Sequence, residues 1–302
     1  MDDNDWVSAH IFYRGDLDRV LIHLVDPLVG ELAGAKLVTA SFFLRYWDGG
    51  PHIRLRLLPG PAGPEPVRRR VDQRCGELFR THPAPDLDDP ADYPAWAGEL
   101  ARLEGVGDYQ RHPYPNNSLA YLPYRREHHR YGHGEAIEAV ERHFVESSQI
   151  ALALIKAGLP AGERDTAALS LLLLAWLSVP RRLDRRPADR QPPEVLPAMA
   201  ERFERQRDTL RQIAERMRTI SLQPAGSSQG ALAAWNLSLG RLRAALAVAG
   251  TGENDVSRII DLCAHLACNR LGLTPLDEQH LRYLATRTMA TATPDGPLRT
   301  SP

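Results

Sequence analysis

His52, Arg54 and Arg56 stand at alternate positions in the stretch FFLRYWDGGPHIRLRL, Phe42 to Leu57. Apolar and aromatic residues flank a WDGGP turn there, which is the pattern of a β-hairpin. Side chains alternate between the two faces of a strand, so these three share one face and Ile53, Leu55 and Leu57 share the other. The apolar set must face the core. Three nitrogen-rich side chains in a row repel one another unless water or an anion covers them. The face therefore reads either as solvated surface or as a binding surface for carboxylate or phosphate, planar oxyanions that a guanidinium fork suits.

Two further clusters carry polar chemistry. The segment YRREHHRYGHG, Tyr124 to Gly134, leads into the helical pattern EAIEAVERHFVESSQIALALI. Glu127 and Arg130 are three apart, so one helical turn lets them pair. Gly132 and Gly134 permit the sharp turn before the helix. Ile137, Val140, Phe144, Ala151 and Ile155 recur at helical spacing and read as core. His128, His129, His133 and His143 match no metal-ligand spacing, so no metal is expected. The last cluster is IIDLCAHLACNRLGL, Ile259 to Leu273, where apolar neighbours surround His265 on a helix. Asn269, four residues on, shares its face and could orient the imidazole.

The elements that must position these groups follow from pattern and punctuation. Trp6 to Tyr13 reads as a strand, and a helix follows from Asp16 until Pro27 kinks or ends it. Lys36–Trp47 and His52–Leu58 form the hairpin, and a polar helix covers Val67 to Arg80. Loops are expected from Thr81 to Asn117, with one short helix near Ala95–Leu103. From Gly134 to Thr291 nearly everything has helical periodicity, apart from a charged, proline-rich linker at Pro180–Pro193 and a glycine break at AGTGENDVS. The expectation is an α+β fold: a small mixed or antiparallel sheet within residues 1–133, packed against a mainly helical part, 134–302, in a single functional domain. With 302 residues, 43% hydrophobic and a net charge of −1, the chain has no bulk attraction for nucleic acid or anionic membrane. Cys75, Cys263 and Cys268 form neither a metal spacing nor a disulfide framework. The N-terminus has no signal-peptide pattern, and the apolar run Ala167–Val179 is too short to span a bilayer. A cytoplasmic protein is expected.

Taken together, the three clusters resemble the thiopeptide-type bacteriocin biosynthesis domain, the C-terminal elimination domain of class I lanthipeptide dehydratases, which also occurs alone in split systems. Its F-F-x-R-Y-x-D-x-x-x-H-x-R-L-R hairpin is matched from Phe42 to Arg56, its Y-x-x-E-x-x-R-Y-G-G motif from Tyr124 to Gly132, and its H-x-x-x-N-R-L motif by His265, Asn269, Arg270 and Leu271. The motifs fall in family order across essentially the whole chain. Two departures stand out: His133 replaces the second glycine, and Ser147-Ser148 replace Asp-Ser in the helix motif E-x-x-F-x-x-D-S.

The resemblance implies a lyase without metal or organic cofactor, acting on a ribosomally made precursor peptide. A separate protein would first esterify Ser or Thr with glutamate from glutamyl-tRNA. This chain would then eliminate glutamate, leaving dehydroalanine or dehydrobutyrine. His265, Arg54, Arg56 and His52 are the expected catalytic residues, with all four bordering one pocket. Arg14 or Arg19, Arg45, Glu127, Arg130, Tyr131, Asn269 and Arg270 are expected to contact substrate or support the site, Arg45 through Asp48 or Glu127. The same family contains pyridine synthases, which join two dehydroalanines by a formal [4+2] cycloaddition and expel the leader peptide. A non-catalytic leader-binding subunit is the third possibility.

Overall fold

The computed structural model describes residues 5–85, 92–179, 196–224 and 229–291. The expected linker at Pro180–Pro193 lies outside them. The chain divides into two compact units: Met1–Leu159 with Asn269–Gly272, and Pro160–Cys268 with Leu273–Pro302.

The first unit is built on a four-stranded sheet in the order β2-β3-β1-β4, antiparallel throughout. β1 (Val7–Phe12) is central and buried at all six positions. β2 (Val38–Tyr46) and β3 (His52–Pro59) form the expected hairpin. Gly49 and Gly50 take φ of 84° and 104° in its turn, where a side chain would be strained. β4 (Ser118–Tyr121) was not expected from the sequence, being four half-buried residues with no apolar alternation.

α1 (Leu17–Val20) starts where Asp16 accepts a hydrogen bond from the Asp18 amide. The interruption expected at Pro27 takes the form of a π-turn, Leu21–Val25, after which α2 (Asp26–Gly34) carries Pro27 in its first turn. A first turn needs no N–H from that residue, so the proline is accommodated. α3 (Pro64–Thr81) buries Val67, Val71, Cys75 and Leu78 and packs on β1 and β3. Ala9, Ile11, Ile53, Leu55 and Leu57 form the apolar sheet face, each at most 1% exposed. Truncating a side chain such as Leu55 to alanine would cost about 2–5 kcal/mol. α4 (Tyr93–Glu104), α5 (His128–Tyr131) and α6 (Glu135–Lys156) complete the unit.

β2 is an edge strand, and its outward backbone groups need partners. Ser148 on α6 accepts from the Phe43 amide at 3.1 Å. Arg270 donates to the Phe43 carbonyl at 3.0 Å. The Asn269 carboxamide pairs with Arg45 twice, accepting from its amide at 3.0 Å and donating to its carbonyl at 2.9 Å. The Asn-Arg of the C-terminal motif thus closes the sheet edge.

The second unit is helical: α7 (Ala161–Leu177), α8 (Leu196–Leu222), α9 (Ala231–Val248), most of α10 (Glu253–Arg270) and α11 (Pro275–Thr291). The apolar run on α7 is buried from Ala168 to Trp176, as a core helix requires. Trp235 on α9 is fully buried and donates to the Leu171 carbonyl at 2.9 Å. Among the described residues no helix is long and apolar enough to cross a membrane.

Candidate functional site

The second face of the sheet is a buried cationic layer. Register places Ser8 opposite Arg56 and His10 opposite Arg54 across β1–β3, with Tyr46 opposite His52 across β2–β3. His52 is fully buried, and Arg56 is only 6% exposed, so this face is not solvated surface. The Arg54 guanidinium carbon lies over the Tyr46 ring, 3.3 Å from its centroid, and that of Arg56 lies 5.3 Å from the Tyr124 centroid. No carboxylate forms an ion pair with Arg54 or Arg56 among the described residues. Burial first, then the neighbouring Arg54 charge, pushes the Arg56 guanidinium down to about 9. Burial likewise lowers Arg54, against the opposing pull of Tyr46 and Asp48.

The histidines in this layer are held neutral. His52 Nδ1 lies 2.7 Å from the Gly50 carbonyl and must donate to it, so Nε2 carries the lone pair. That lone pair accepts from His10 Nδ1 at 3.2 Å and faces Arg54 Nε at 3.4 Å. The two imidazoles stack with centroids 5.0 Å apart. Burial is the main reason His52 falls to about 3, and burial followed by the Arg56 charge depresses His10 further. Both His52 nitrogens are engaged, so it positions Arg54 and is a poor proton carrier near neutral pH.

Around this layer the other expected residues take distinct places. Arg45 pairs with Asp18, not with Asp48 or Glu127, and its Nε donates to the Arg270 carbonyl at 2.9 Å. Asp48 instead accepts from the Gln110 amide, and Glu127 lies 3.5 Å from Arg130 in an exposed pair. Gly272, at φ of 84°, leaves room for Arg45, because a Cβ there would sit 3.1 Å from the guanidinium carbon and press it aside. Arg270 is fully buried and donates to Phe43, Ser148 and Ser147, so its place is inside the fold, not facing a ligand. Ser147, where the motif has Asp, accepts from Arg270 Nη1 at 3.2 Å, which gives that departure a structural setting. Tyr131 packs edge-on against Phe144 in the core. Arg14 is half-buried and donates to the Tyr114 carbonyl, whereas Arg19 is exposed. Tyr124 donates to Glu141, which also accepts two bonds from Arg126 at 2.8 and 2.7 Å.

His265 lies in the second unit and is oriented by Glu278, not by Asn269, whose amide is committed to Arg45. His265 Nδ1 donates to Glu278 Oε2 at 2.6 Å while the side chain remains 42% exposed. This bond fixes the tautomer and leaves Nε2 as the proton-accepting nitrogen. Glu278 Oε1 accepts from Arg282 Nε at 2.7 Å, and Arg282 Nη1 reaches Asp261 Oδ1 at 2.6 Å. Trp176 Nε1 completes the chain to Asp261 at 3.0 Å. Burial alone would raise the Glu278 carboxyl, but His265 and Arg282 outweigh it and hold the group below its ordinary value. Such a chain aims and steadies the imidazole.

Sequence reasoning missed His10, Asp18, Asp261, Glu278 and Arg282. Asp261 and His265 are four apart on α10, and Glu278 and Arg282 four apart on α11, a spacing that puts each pair on one helix face. Nothing in the sequence joins the two pairs. Among the described residues, no group of three or more His, Cys, Asp or Glu is placed to hold a metal ion.

The family model described as "Lantibiotic biosynthesis dehydratase C-term" matches residues 6–289. No curated protein sequence matches. Among solved structures, the pyridine synthase TbtD from thiomuracin biosynthesis is similar with a TM-score of 0.78 at 19% identity, covering 95% of this chain and 98% of that one. TsrL is similar with a TM-score of 0.68 at 16% identity, covering 95% of both chains. The tRNA-dependent lantibiotic dehydratase MibB from Microbispora sp. 107891 gives 0.57 at 17% identity, where 95% of this chain corresponds to 28% of that one.

Proposed function

This chain belongs to the lantibiotic biosynthesis dehydratase C-terminal family, and we propose that it eliminates glutamate from glutamylated Ser or Thr of a ribosomal precursor peptide. The observation that carries this reading is the Arg54–Arg56 pair, Arg54 half-buried and Arg56 buried, with no carboxylate ion-paired to it among the described residues. A buried charge without a partner is costly, and a ligand that brings the counter-charge recovers that cost on binding.

Elimination needs two charge-developing events. A proton leaves the α-carbon beside a peptide carbonyl, and a carboxylate departs from the β-carbon as the double bond forms. Preorganised cations favour both the enolate and the departing carboxylate, commonly the largest catalytic term. In this reading Arg54 and Arg56 hold carboxylate, with Tyr46 and Tyr124 as platforms and His52 fixing Arg54. His265, steadied by Glu278, takes the α-proton on Nε2. The proposed partners are the precursor peptide and a separate protein that attaches glutamate from glutamyl-tRNA.

The second reading, a pyridine synthase, is supported by the likeness to TbtD over nearly the full length of both chains. One experiment separates the two. The purified protein is given, in parallel, a glutamylated peptide and a linear peptide already containing dehydroalanines, and masses are followed. Elimination is expected to strip the glutamyl groups and leave the dehydrated peptide unchanged. Release of leader peptide from the dehydrated substrate, with glutamyl groups untouched, would establish the second reading. Binding without either change would identify a non-catalytic peptide-binding subunit.

A further inference from the structure

Within the cationic layer, the residue facing both guanidiniums is His10. It is cross-strand to Arg54, it stacks on His52, and it feels the charges of Arg56, His52 and Arg54. Its tautomer is fixed, because Nδ1 must donate to His52, so Nε2 is a bare acceptor. That Nε2 is buried without a hydrogen-bond partner, as are Ser8 Oγ and Arg56 Nη1, which approach from register-paired positions. A carboxylate at position 10 or position 8 would accept from the guanidiniums, including the unpartnered Arg56 Nη1, from within the fold. The sequence places neutral groups at both.

We propose that His10, together with Ser8, determines anion specificity by denying Arg54 and Arg56 an internal counter-ion, so that the substrate must supply it. This rests on the reading that the pair takes a carboxylate, and it goes beyond that reading in assigning the role to β1. The arrangement leaves the unliganded fold under electrostatic strain, and a glutamic acid at position 10 should relieve it. Two consequences follow from one substitution. His10→Glu should melt higher than its neutral isostere His10→Gln, and it should lose affinity for an added carboxylate because the guanidiniums are already occupied. A merely structural role for the imidazole would harm both variants alike.

The probe is L-glutamate at millimolar concentration, read as a shift in melting temperature against chloride at equal ionic strength. The unmutated protein and His10→Gln are expected to rise by about 2 °C or more. His10→Glu is expected to start higher than His10→Gln and to show no rise. If His10→Glu responds as His10→Gln does, or melts lower than it, the inference is overturned. Loss of the response in both variants overturns it too, since the imidazole itself would then be required. Ser8→Asp compared with Ser8→Asn repeats the test opposite Arg56 should His10→Glu fail to fold. If the unmutated protein does not respond to L-glutamate, the proposed carboxylate site fails. The inference then fails with it, whereas a response of the unmutated protein with His10→Glu melting no higher than His10→Gln overturns the inference alone.

Discussion

Two regions of this molecule handle buried charge in opposite ways. In the sheet unit, Arg54 and Arg56 lie against aromatic rings and neutral histidines, and among the described residues no carboxylate forms an ion pair with them. In the helical unit, His265, Glu278, Arg282 and Asp261 alternate base and acid, each joined to the next by a hydrogen bond of 2.6–2.7 Å. The matched chain fixes geometry and has its charges answered from within. On the proposed reading, the arginine pair takes its counter-charge from the substrate. A buried network is high-stakes either way, since leaving one member unpaired costs more than the pair contributes.

Substitutions can break or sharpen this contrast. The largest effect is expected at His265: replacement by Ala should slow the reaction by about 10²–10⁴-fold, the scale of a lost acid–base group. Glutamylated peptide should then accumulate. Glu278→Gln, which keeps the shape but removes the buried charge between His265 and Arg282, should lower kcat and also lower stability, while leaving peptide affinity unchanged in a titration. Next comes a matched pair within the sheet unit as a control. Arg126 and Glu141 have side chains only 5% and 7% exposed, so Arg126→Ala should cost about 3–5 kcal/mol in urea unfolding.

Acid should act mainly on the sheet unit. An unfolded histidine takes a proton below about 6.5, whereas folded His52 declines it down to about 3. The unfolded state therefore binds more protons, and stability falls as pH drops through that window. His52 and His10 should each contribute a slope of about 1.4 kcal/mol per pH unit. His52→Asn should remove its share, measured by unfolding at pH 7, 6, 5 and 4. The smallest effect is expected at the exposed pair. Arg130 and Glu127 are each 47% exposed, and Arg130→Ala should change stability by less than about 1 kcal/mol. A large loss of turnover in a stable Arg130→Ala protein would show that Arg130 touches substrate.

The hairpin, its turn and its two faces were legible because a period-two pattern with a glycine turn admits one register. The apolar run on α7 was legible as core for the same local reason. Partnerships across the chain were not. Asn269 sits four residues from His265, which suggested a pair on one helix, yet its amide closes the edge of β2 at Arg45, 224 residues away in sequence. Arg45 likewise found Asp18 and not the nearer Asp48. β4 escaped notice because four residues carry too few positions to show a period. Whether the cationic face was solvated or buried could not be read at all, since burial depends on what packs above a sheet, not on the strand itself.

The central claim is that the unmatched guanidinium pair grips departing glutamate. Lysine keeps the charge but loses the planar fork, so Arg54→Lys or Arg56→Lys isolates geometry from charge. The direct test is single-turnover mass spectrometry of a glutamylated peptide with each purified variant, beside the unmutated protein. A loss of about 2–4 kcal/mol in transition-state stabilisation is expected, with peptide stalled at the glutamyl adduct. Elimination at the unmutated rate in both variants would contradict the account.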